Sequence, residues 1–209
     1  NKTARLLCVT ATPWRMGGQG LGIEASGPCD DMILGPSTKW LIENGFLSPY
    51  RLFMPPIEVD LSGIRIKAGD FDQVELEAAM SKPKITGSAV EHYRRIASGQ
   101  PAIAFCVSIR HAELVAHEFR SAGLRAAHIS GESNDFVRRD LIDGLGSGRL
   151  DVLTSADLIG EGVDIPVLGC AILLRPTHSL SLHLQQIGRP LRWQSGKTAI
   201  ILDHVGNTL

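Results

Sequence analysis

The sequence is poor in cysteine and in aromatic residues, and it has almost no net charge. Its four cysteines, Cys8, Cys29, Cys106 and Cys170, are far apart in sequence and form no C-x-x-C pair. A reducing cytoplasm fits this spacing better than a disulfide framework does. The seven histidines show neither H-x-x-x-H nor H-E-x-x-H spacing, so we expect no metal site.

Charge and hydropathy narrow the function classes further. The net charge is -1, so any contact with a polyanion must come from a local patch. Aromatic residues make up 5% of the chain, which favours contacts with a nucleic-acid backbone over base stacking. No apolar stretch reaches membrane length, so we expect no membrane contact. A chain of 209 residues with 44% hydrophobic content can bury one core, or one domain and part of another.

From residue 102 onward, short apolar runs alternate with helical patterns. The runs are typical of buried strands and comprise "AIAFCV" (102–107), "RAAHI" (125–129), "LDVLT" (150–154), "CAILL" (170–174) and "TAIILDHV" (198–205). The helical patterns cover residues 110–122, 134–145 and 179–187. Strands that alternate with helices of this length predict an α/β domain with a mostly parallel sheet.

The first hundred residues are less regular. The run "RLLCVT" (5–10) predicts a strand, and because the chain opens directly on it, we expect that an upstream part has been cut away. A short helix is predicted at 37–44, an extended segment at 47–56 and a helix at 86–97. Residues 61–82 are mixed and polar, which indicates a mobile connection.

One stretch imitates a phosphate-binding loop. The sequence "SGKT" (195–198) looks like the end of a P-loop, and the apolar run after it ends in Asp203. A P-loop needs a glycine five positions before its G-K glycine, where Leu191 stands, and it must open a helix whose dipole faces the phosphate. Because "SGKT" precedes a strand, we predict a turn there and no phosphate cradle within the chain.

Polar residues stand at the ends of four predicted strands. Ser108 and Gly131 follow the first two strands, Thr154 closes the third, and Arg175 follows the fourth. In a parallel sheet these ends share one edge, where ligands of such folds bind. A single Ser or Thr at a strand end is usually a helix cap, but four residues in register predict a binding edge.

The run after Thr154, "SADLIGEGVDIP" (155–166), has two closely spaced glycines and presents Asp164 just before Pro166. These features fit a backbone that approaches a ligand closely. They also fit a helix stop followed by a turn.

Two arginines follow a helix-like run near the end of the chain. In "LQQIGRPLRW" (184–193), Arg189 and Arg192 stand three residues apart just after Gly188. The planar guanidinium group matches a phosphate or a carboxylate in a bidentate manner. This pair therefore predicts an anion site.

In order and spacing, these stretches resemble the motifs of superfamily-two DNA and RNA helicases. The resemblance rests on "VTATP" (9–13), "FCVSIRHA" (105–112), "TSADLIGEGVDIP" (154–166) and "QQIGRPLR" (185–192), which resemble the third to sixth motifs. The chain is similar to the C-terminal RecA-like domain of DEAD/DEAH-type proteins of phage and prophage origin, which are related to the translocating subunit of type III restriction enzymes. The run "GPSTKWLIENGFLSPYRL" supports that branch. The resemblance implies a RecA-like, three-layer α/β/α domain.

For the nucleotide, the resemblance implies roles for five residues. Arg189 and Arg192 match the arginines that reach the phosphates of a nucleotide held by the preceding domain, one of them as an arginine finger. Gln185 matches the polar start of the same motif. Gly162 and Asp164 match positions near the nucleotide ribose in the closed state.

The resemblance also implies residues that hold the nucleic acid and couple its movement to the nucleotide. The positions that match contacts with the nucleic-acid backbone are Ser108, Arg110, Gly131 and Thr154. Thr10 and Thr12 match the motif that couples nucleotide state to strand movement. At Gln186 the chain departs from many relatives, which carry Arg there, and this puts one phosphate contact in doubt.

The resemblance divides the chain in two. Residues 1–36 would be a remnant of the first RecA-like domain with its connection, and residues 37–209 the second RecA-like domain. The phosphate-binding lysine and the acidic magnesium motif are expected upstream. ATP and Mg²⁺ would then be held mainly by that first domain of the same parent chain.

We therefore expect the second motor domain of a cytoplasmic, ATP-dependent helicase or translocase. Its nucleic acid is expected to be DNA rather than RNA, because of the phage and restriction resemblance. The isolated chain should hydrolyse no ATP, and its two motif arginines should be exposed, poorly ordered or bound to a stray anion. Two alternatives stay open: a non-catalytic α/β module that binds a partner or nucleic acid, and the motor part of a restriction complex.

Overall fold

The computed structural model describes residues 7–10, 12, 20–56, 59–67, 70–156 and 168–208. A short 3₁₀ turn at Ile23–Ala25 comes first. The helices that follow are α1 Thr38–Glu43, α2 Gln73–Met80, α3 Pro83–Ile96, α4 Ile109–Ser121, α5 Asp135–Gly146 and α6 Leu180–Gly188. The strands are β1 Tyr50–Phe53, β2 Ile66–Lys67, β3 Asp70–Phe71, β4 Ala102–Phe105, β5 Ala126–Ile129, β6 Val152–Ser155, β7 Cys170–Leu173 and β8 Ala199–Asp203.

Six strands form one sheet in the order β1-β8-β7-β4-β6-β5, and every neighbouring pair is parallel. The crossover from β4 through α4 to β5 runs toward the β5 border of the sheet. The crossover from β5 through α5 to β6 and that from β7 through α6 to β8 run toward the β1 border. Because such crossovers are right-handed, α4 lies on one face and α5 and α6 lie on the other. The molecule is thus a three-layer α/β/α domain, which confirms the predicted fold class.

The inner strands are apolar along their whole length because helices cover both faces of the sheet. All residues of β4, β6, β7 and β8 are buried. On one face, the ring of Tyr93 meets that of Phe119 edge-on, with centroids 5.7 Å apart. The Tyr93 hydroxyl donates to the carbonyl of Gln100 at 2.9 Å, so this fully buried phenol keeps a hydrogen-bond partner.

Polar caps begin the helices that follow the central strands. Ser108, Asn134 and Ser179 cap α4, α5 and α6, each by accepting a hydrogen bond from the backbone N–H three residues further on. Such a cap satisfies a donor that the first helical turn leaves free. These caps fix where each helix begins above the carboxyl edge of the sheet.

The strands and helices predicted from residue 102 onward are confirmed, with small shifts at their ends. The extended segment at 47–56 contains β1, which pairs with β8 and forms one border of the sheet. The strand predicted at 5–10 is wrong for residues 7–10, which are exposed and lie in no strand. Residues 5 and 6 lie outside the described part of the chain.

The segment predicted as a mobile connection, 61–82, contains defined elements. Strands β2 and β3 form an antiparallel pair, and Asp72 caps α2 by accepting from the backbone N–H of Val74 and Glu75. Two apolar side chains of α2, Leu76 and Met80, belong to the buried core. The sequence did not predict α2, because only two of its side chains are buried and the rest of the helix is mostly polar.

The packing of α2 gives a direct test. Met80 is fully buried, so Met80→Ala should lower the free energy of unfolding by about 2–5 kcal/mol, through lost contacts and a residual cavity. Val74, on the same helix, is 79% exposed, and Val74→Ala should change that free energy by about 0.5 kcal/mol or less. Urea denaturation followed by circular dichroism measures both, and equally small effects would contradict the docking of α2.

Candidate functional site

The two motif arginines lie at the amino edge of the sheet. Helix α6 leaves the carboxyl end of β7 and ends at Gly188, and Arg189 is its C-terminal cap with helical backbone angles. The chain then forms an antiparallel bridge between Arg192 and Leu47, and the backbone N–H of Ser48 donates to the carbonyl of Leu191 at 2.8 Å. Because β1 and β8 both start just beyond this bridge, the arginines sit where the strands begin.

Both arginines are half-buried, so the first of the three expected alternatives, solvent exposure, does not hold. Burial lowers the pKa of Arg189. Burial, and then the positive charge of Arg192, lowers the pKa of Lys197, whose Nζ donates to the carbonyl of Leu168 at 3.2 Å. Three cationic side chains therefore share this edge, and the positive charge of Arg192 acts on Lys197.

The structure joins two motifs that are distant in sequence. The Gln185 side-chain amide donates to the Thr12 hydroxyl at 3.2 Å, and the Thr12 backbone N–H donates to the Thr10 hydroxyl at 3.1 Å. Thr12 is buried, whereas Gln185 is exposed at the flank of α6. Sequence patterns named each of these residues separately, but only the fold brings Thr10 and Thr12 to the arginine-bearing helix.

Gln186, where the resemblance led us to expect Arg, faces the interior. Gln186 is 2% exposed, and its Oε1 has no hydrogen-bond partner among the described residues. His183, one turn earlier on α6, is also buried, and burial lowers its pKa. Gln186 therefore offers no side chain to a ligand at the amino edge.

Some of the residues predicted to bind nucleic acid lie at the carboxyl edge of the sheet. Gly131 and Arg110 are exposed there, just beyond β5 and at the start of α4. Arg175 follows β7, is half-buried and donates to the carbonyl of Ala156 at 3.3 Å. Ser108 is buried as the cap of α4, so its hydroxyl supports the helix rather than reaching outward.

Thr154 does not lie at the edge, and this part of the prediction needs correction. It stands inside β6 with no exposed surface, and its hydroxyl donates to the Ala112 carbonyl of α4 at 2.7 Å. The predicted strand ended at this residue, whereas β6 runs on to Ser155. A buried hydroxyl already bonded to a helix serves the packing of α4 against the sheet.

Sequence reasoning missed Arg138 at the carboxyl edge. Its guanidinium donates to the carbonyls of Ser130 and Gly131 at 3.5 and 3.4 Å, so it lies over the turn that follows β5. The sequence feature that could have identified it is its position one turn after the Asn134 cap. Side chains in a helix point back toward the N-terminus, and the N-terminus of α5 lies at the carboxyl edge.

The P-loop imitation is a turn, as predicted. Gly196 has φ 73°, and the segment leads directly into β8. Asp203 is fully buried, and its carboxylate accepts hydrogen bonds from the backbone N–H groups of Val205, Gly206 and Thr208 at 2.9–3.1 Å. This carboxylate closes the turn after β8 and is not available to a magnesium ion.

The predicted ribose-contacting pair, Gly162 and Asp164, lies outside the described residues. Within the described ranges, no group of three or more His, Cys, Asp or Glu side chains could hold a metal ion. No described helix combines the length and the apolar character needed to cross a membrane.

Two curated relatives resemble most of this chain. It is 41% identical over 198 residues to the 51.5 kDa protein of Lactococcus phage (isolate 7-9), and 30% identical over 172 residues to IRC3 of Saccharomyces cerevisiae, a candidate ATP-dependent helicase by its name. The matches cover 95% and 80% of this chain. The chain spans 42% and 24% of the lengths of these relatives.

A solved structure shares the fold. It is a fragment of a candidate HsdR subunit of a type I restriction enzyme from Vibrio vulnificus YJ016, with a TM-score of 0.60 and 22% sequence identity. The match covers 79% of this chain and 33% of that one. At this identity the likeness concerns the fold alone, and it agrees with a RecA-like domain.

The burial of Thr154 predicts a structural role that can be measured. Thr154→Val keeps the shape but removes the hydroxyl donor, and it should lower the free energy of unfolding by about 1 kcal/mol. Thr198→Val, on an exposed turn, is the matched control and should have an effect of about 0.5 kcal/mol or less. Loss of nucleic-acid affinity in Thr154→Val without loss of stability would contradict this role.

The sequence profile of the family described as Helicase conserved C-terminal domain matches residues 84–194, which is more than half of the chain. The matched range runs from α3 through the two motif arginines and includes most of the parallel sheet. The chain therefore belongs to the helicase conserved C-terminal domain family, as its resemblance to superfamily-two helicases predicted.

Proposed function

We propose that this chain is the second motor domain of an ATP-dependent nucleic-acid helicase or translocase. The observation that carries the proposal is the separation of two sets of cationic side chains on one sheet. Arg189, Arg192 and Lys197 lie at the amino edge, whereas Arg110 and Arg138 lie at the carboxyl edge. One edge would meet a nucleotide and the other a nucleic-acid strand.

The amino edge suits the outer side of a nucleotide's phosphates. Guanidinium groups donate paired hydrogen bonds to phosphate oxygens, and partial burial strengthens that attraction by excluding water. The described residues supply these donors, but the segment that imitates a P-loop is a turn, and no group of three or more His, Cys, Asp or Glu side chains among them could hold Mg²⁺. ATP supplies the phosphoryl group whose transfer drives a motor, and an upstream RecA-like domain of the parent chain would hold it together with Mg²⁺.

The arginines would then make hydrolysis depend on domain closure. An arginine that stabilises charge on a transferring phosphoryl group raises the rate by roughly a thousandfold or more. If the group is held by another domain, Arg189 and Arg192 act only when the two domains meet. Gly162 and Asp164, near the ribose in the resemblance, would add to the same closed contact.

Contacts with the strand would use the carboxyl edge. Arg110, Arg138 and the exposed backbone of Gly131 are accessible to phosphates, whereas Ser108 and Thr154 would act through the structure they support. Such contacts are independent of base sequence and weaken as salt concentration rises. We favour DNA over RNA, on the resemblance to phage and restriction motors.

A physical link between the two functions would run through α6. The hydrogen bond from Gln185 to Thr12 connects the arginine-bearing helix to the threonine segment. Domain closure that moves Arg189 relative to the upstream domain would therefore make or break this hydrogen bond to the threonine segment. In this proposal residues 1–36 belong with the upstream domain, and residues 37–209 form the second motor domain.

Two other functions use the same scaffold. A non-catalytic module would keep the sheet as a docking surface, and its parent would have no G-K-T/S loop upstream. A restriction motor would keep the full mechanism and add a nuclease domain elsewhere in the parent. Retention of both motif arginines at a half-buried edge supports a motor over a passive module.

The amino-edge arginines provide the test in the longer protein that contains this chain. Arg192→Ala should lower nucleic-acid-stimulated ATP hydrolysis by about a thousandfold, because charge stabilisation at the phosphoryl group is lost. Arg192→Lys should recover little of it, since an ammonium group lacks the planar fork. Arg189→Ala should behave in the same way.

The matched control is Arg95→Ala, which removes an exposed arginine from the last turn of α3. It should leave hydrolysis unchanged, and urea denaturation should show that all four variants are folded. Full ATPase activity in Arg189→Ala or Arg192→Ala would contradict the proposal.

The purified chain of 209 residues should hydrolyse no ATP by itself, because the cradle and the magnesium ligands would come from another domain. A phosphate-release assay with and without single-stranded DNA measures this. Robust turnover by the pure chain would contradict a divided site.

A further inference from the structure

A cavity opens at the carboxyl edge of the sheet, between the turns that follow β7 and β8. Its volume of about 360 Å³ lies within the range of pockets that take small molecules. Arg110 and Arg138 stand beyond β4 and β5 at the same edge, so the cavity continues the surface proposed to meet a nucleic-acid strand. The walls come from residues 176–179 after β7, residues 205–207 after β8, Leu180 and His183 of α6, and Leu61 and Phe71.

The short hairpin of β2 and β3 forms one wall of this cavity and is fastened to the turn after β7. The Asp70 carboxylate accepts a hydrogen bond from the Thr177 hydroxyl at 2.8 Å and another from the backbone N–H of His178 at 3.0 Å. The ring of Phe71 stacks on that of His178, with centroids 4.4 Å apart and planes 29° apart. A ligand would therefore meet a preformed aromatic wall, which lowers the entropic cost of binding.

Most polar groups of the lining are already bonded within the protein. The Ser179 hydroxyl caps α6, and the Thr177 hydroxyl donates to Asp70. The Asn207 side chain accepts from the Thr177 backbone N–H at 3.0 Å and donates to the Arg175 carbonyl at 2.9 Å. The described residues that line the cavity include no Asp, Glu, Lys or Arg. Uncharged walls suit a neutral ring rather than a phosphate.

His183 differs from these groups. It is 7% exposed, and its Nδ1 has no hydrogen-bond partner among the described residues. Burial lowers the pKa of His183, so its ring is neutral near pH 7 and Nδ1 accepts or donates a hydrogen bond according to the tautomer. A buried polar atom without a partner is destabilising, and a ligand with a polar ring edge would supply the partner.

We propose that this cavity receives one unstacked nucleobase of the strand bound at the carboxyl edge. The proposal rests on the proposed function and adds a base contact to its phosphate contacts. Every base offers a flat π face to the Phe71–His178 pair and polar ring-edge atoms to His183, so the site would accept any base. Arg175 directly precedes the lining and is half-buried, and it would hold the phosphate beside that base.

A base in this cavity is a local exception to what the composition favours. The scarcity of aromatic residues favours contacts with the nucleic-acid backbone, and those contacts would still supply most of the affinity. One stacked base adds a contact that a strand without bases cannot make. The affinity difference between two such strands therefore isolates the cavity.

Strands with and without bases provide the test. The purified chain is titrated at low salt with fluorescently labelled oligothymidylate and with an abasic deoxyribose-phosphate strand of the same length and charge. We expect the abasic strand to bind about tenfold or more weakly, because it cannot stack on an aromatic wall. The dependence of affinity on salt concentration should be the same for both strands, since both make the same phosphate contacts.

Two variants assign this preference to the cavity. Phe71→Leu keeps an apolar side chain but removes the flat ring, and it should reduce the preference for the strand with bases to about twofold or less. Leu180→Trp places a large ring at an exposed position of the lining and should have the same effect by filling the cavity. The matched control, Phe46→Leu, changes an exposed phenylalanine at the amino edge and should keep the full preference. Urea denaturation shows whether each variant is folded.

Base-directed crosslinking locates the contact. Oligothymidylate that carries 5-iodouracil in place of thymine is bound to the chain and irradiated, and the linked peptides are identified by mass spectrometry. We expect links in the peptides that contain Phe71 or His178, and their loss in Leu180→Trp. Links confined to other peptides would overturn the proposal.

The affinities separate this proposal from the proposed function. Equal affinity of the native chain for the two strands, or a full preference in Phe71→Leu or Leu180→Trp, would overturn the base site and leave salt-dependent strand binding intact. Displacement of oligothymidylate by free thymidine at a comparable concentration would show a nucleoside site and overturn the assignment to a strand. Failure of both strands to bind in a salt-dependent manner would contradict the nucleic-acid edge itself, and the base site with it.

Discussion

The common direction of six strands is the constraint on which the rest of this structure depends. Since every neighbouring pair in the sheet is parallel, all strands begin at one edge and end at the other. Helices must return across the faces, so polar residues of the loops collect at two separate edges. Arg189 and Arg192 belong to the amino edge, and Gly131 and Arg138 to the carboxyl edge. In the proposed motor, the nucleotide and the nucleic acid would therefore bind at separate edges of one sheet.

The same constraint explains why several polar residues are structural rather than exposed. A sheet covered on both faces buries its strands completely, so a hydroxyl inside a strand needs a partner within the protein. Thr154 finds it in the Ala112 carbonyl, and the Asp203 carboxylate finds it in the turn after β8. Ser108 is held as a helix cap. Residue type at a strand end is therefore an ambiguous guide to binding, because the fold also needs these groups.

Much of the fold could be predicted because its signals are local. Apolar runs bounded by caps specify β4 to β8 and α4 to α6, and the resemblance implied the RecA-like, three-layer class. Long-range contacts were beyond such reasoning: the Gln185–Thr12 hydrogen bond depends on how two distant segments dock. Helix α2 was missed for a similar reason, since two buried side chains outweigh a polar composition. Thr154 was predicted to close its strand at the edge of the sheet. Strand β6 continues to Ser155, and Thr154 lies in the core.

The division of labour between the two edges is the central claim of this account, and photo-crosslinking measures it most directly. A single-stranded DNA carrying photoreactive phosphate-proximal groups is bound to the chain at low salt, irradiated, and mapped by peptide mass spectrometry. Crosslinks are expected at the carboxyl edge, in the peptides that contain Arg110 and Gly131 to Arg138, and they should fade as salt rises. Crosslinks concentrated instead at Arg189 and Arg192 would place the strand at the amino edge and contradict the account.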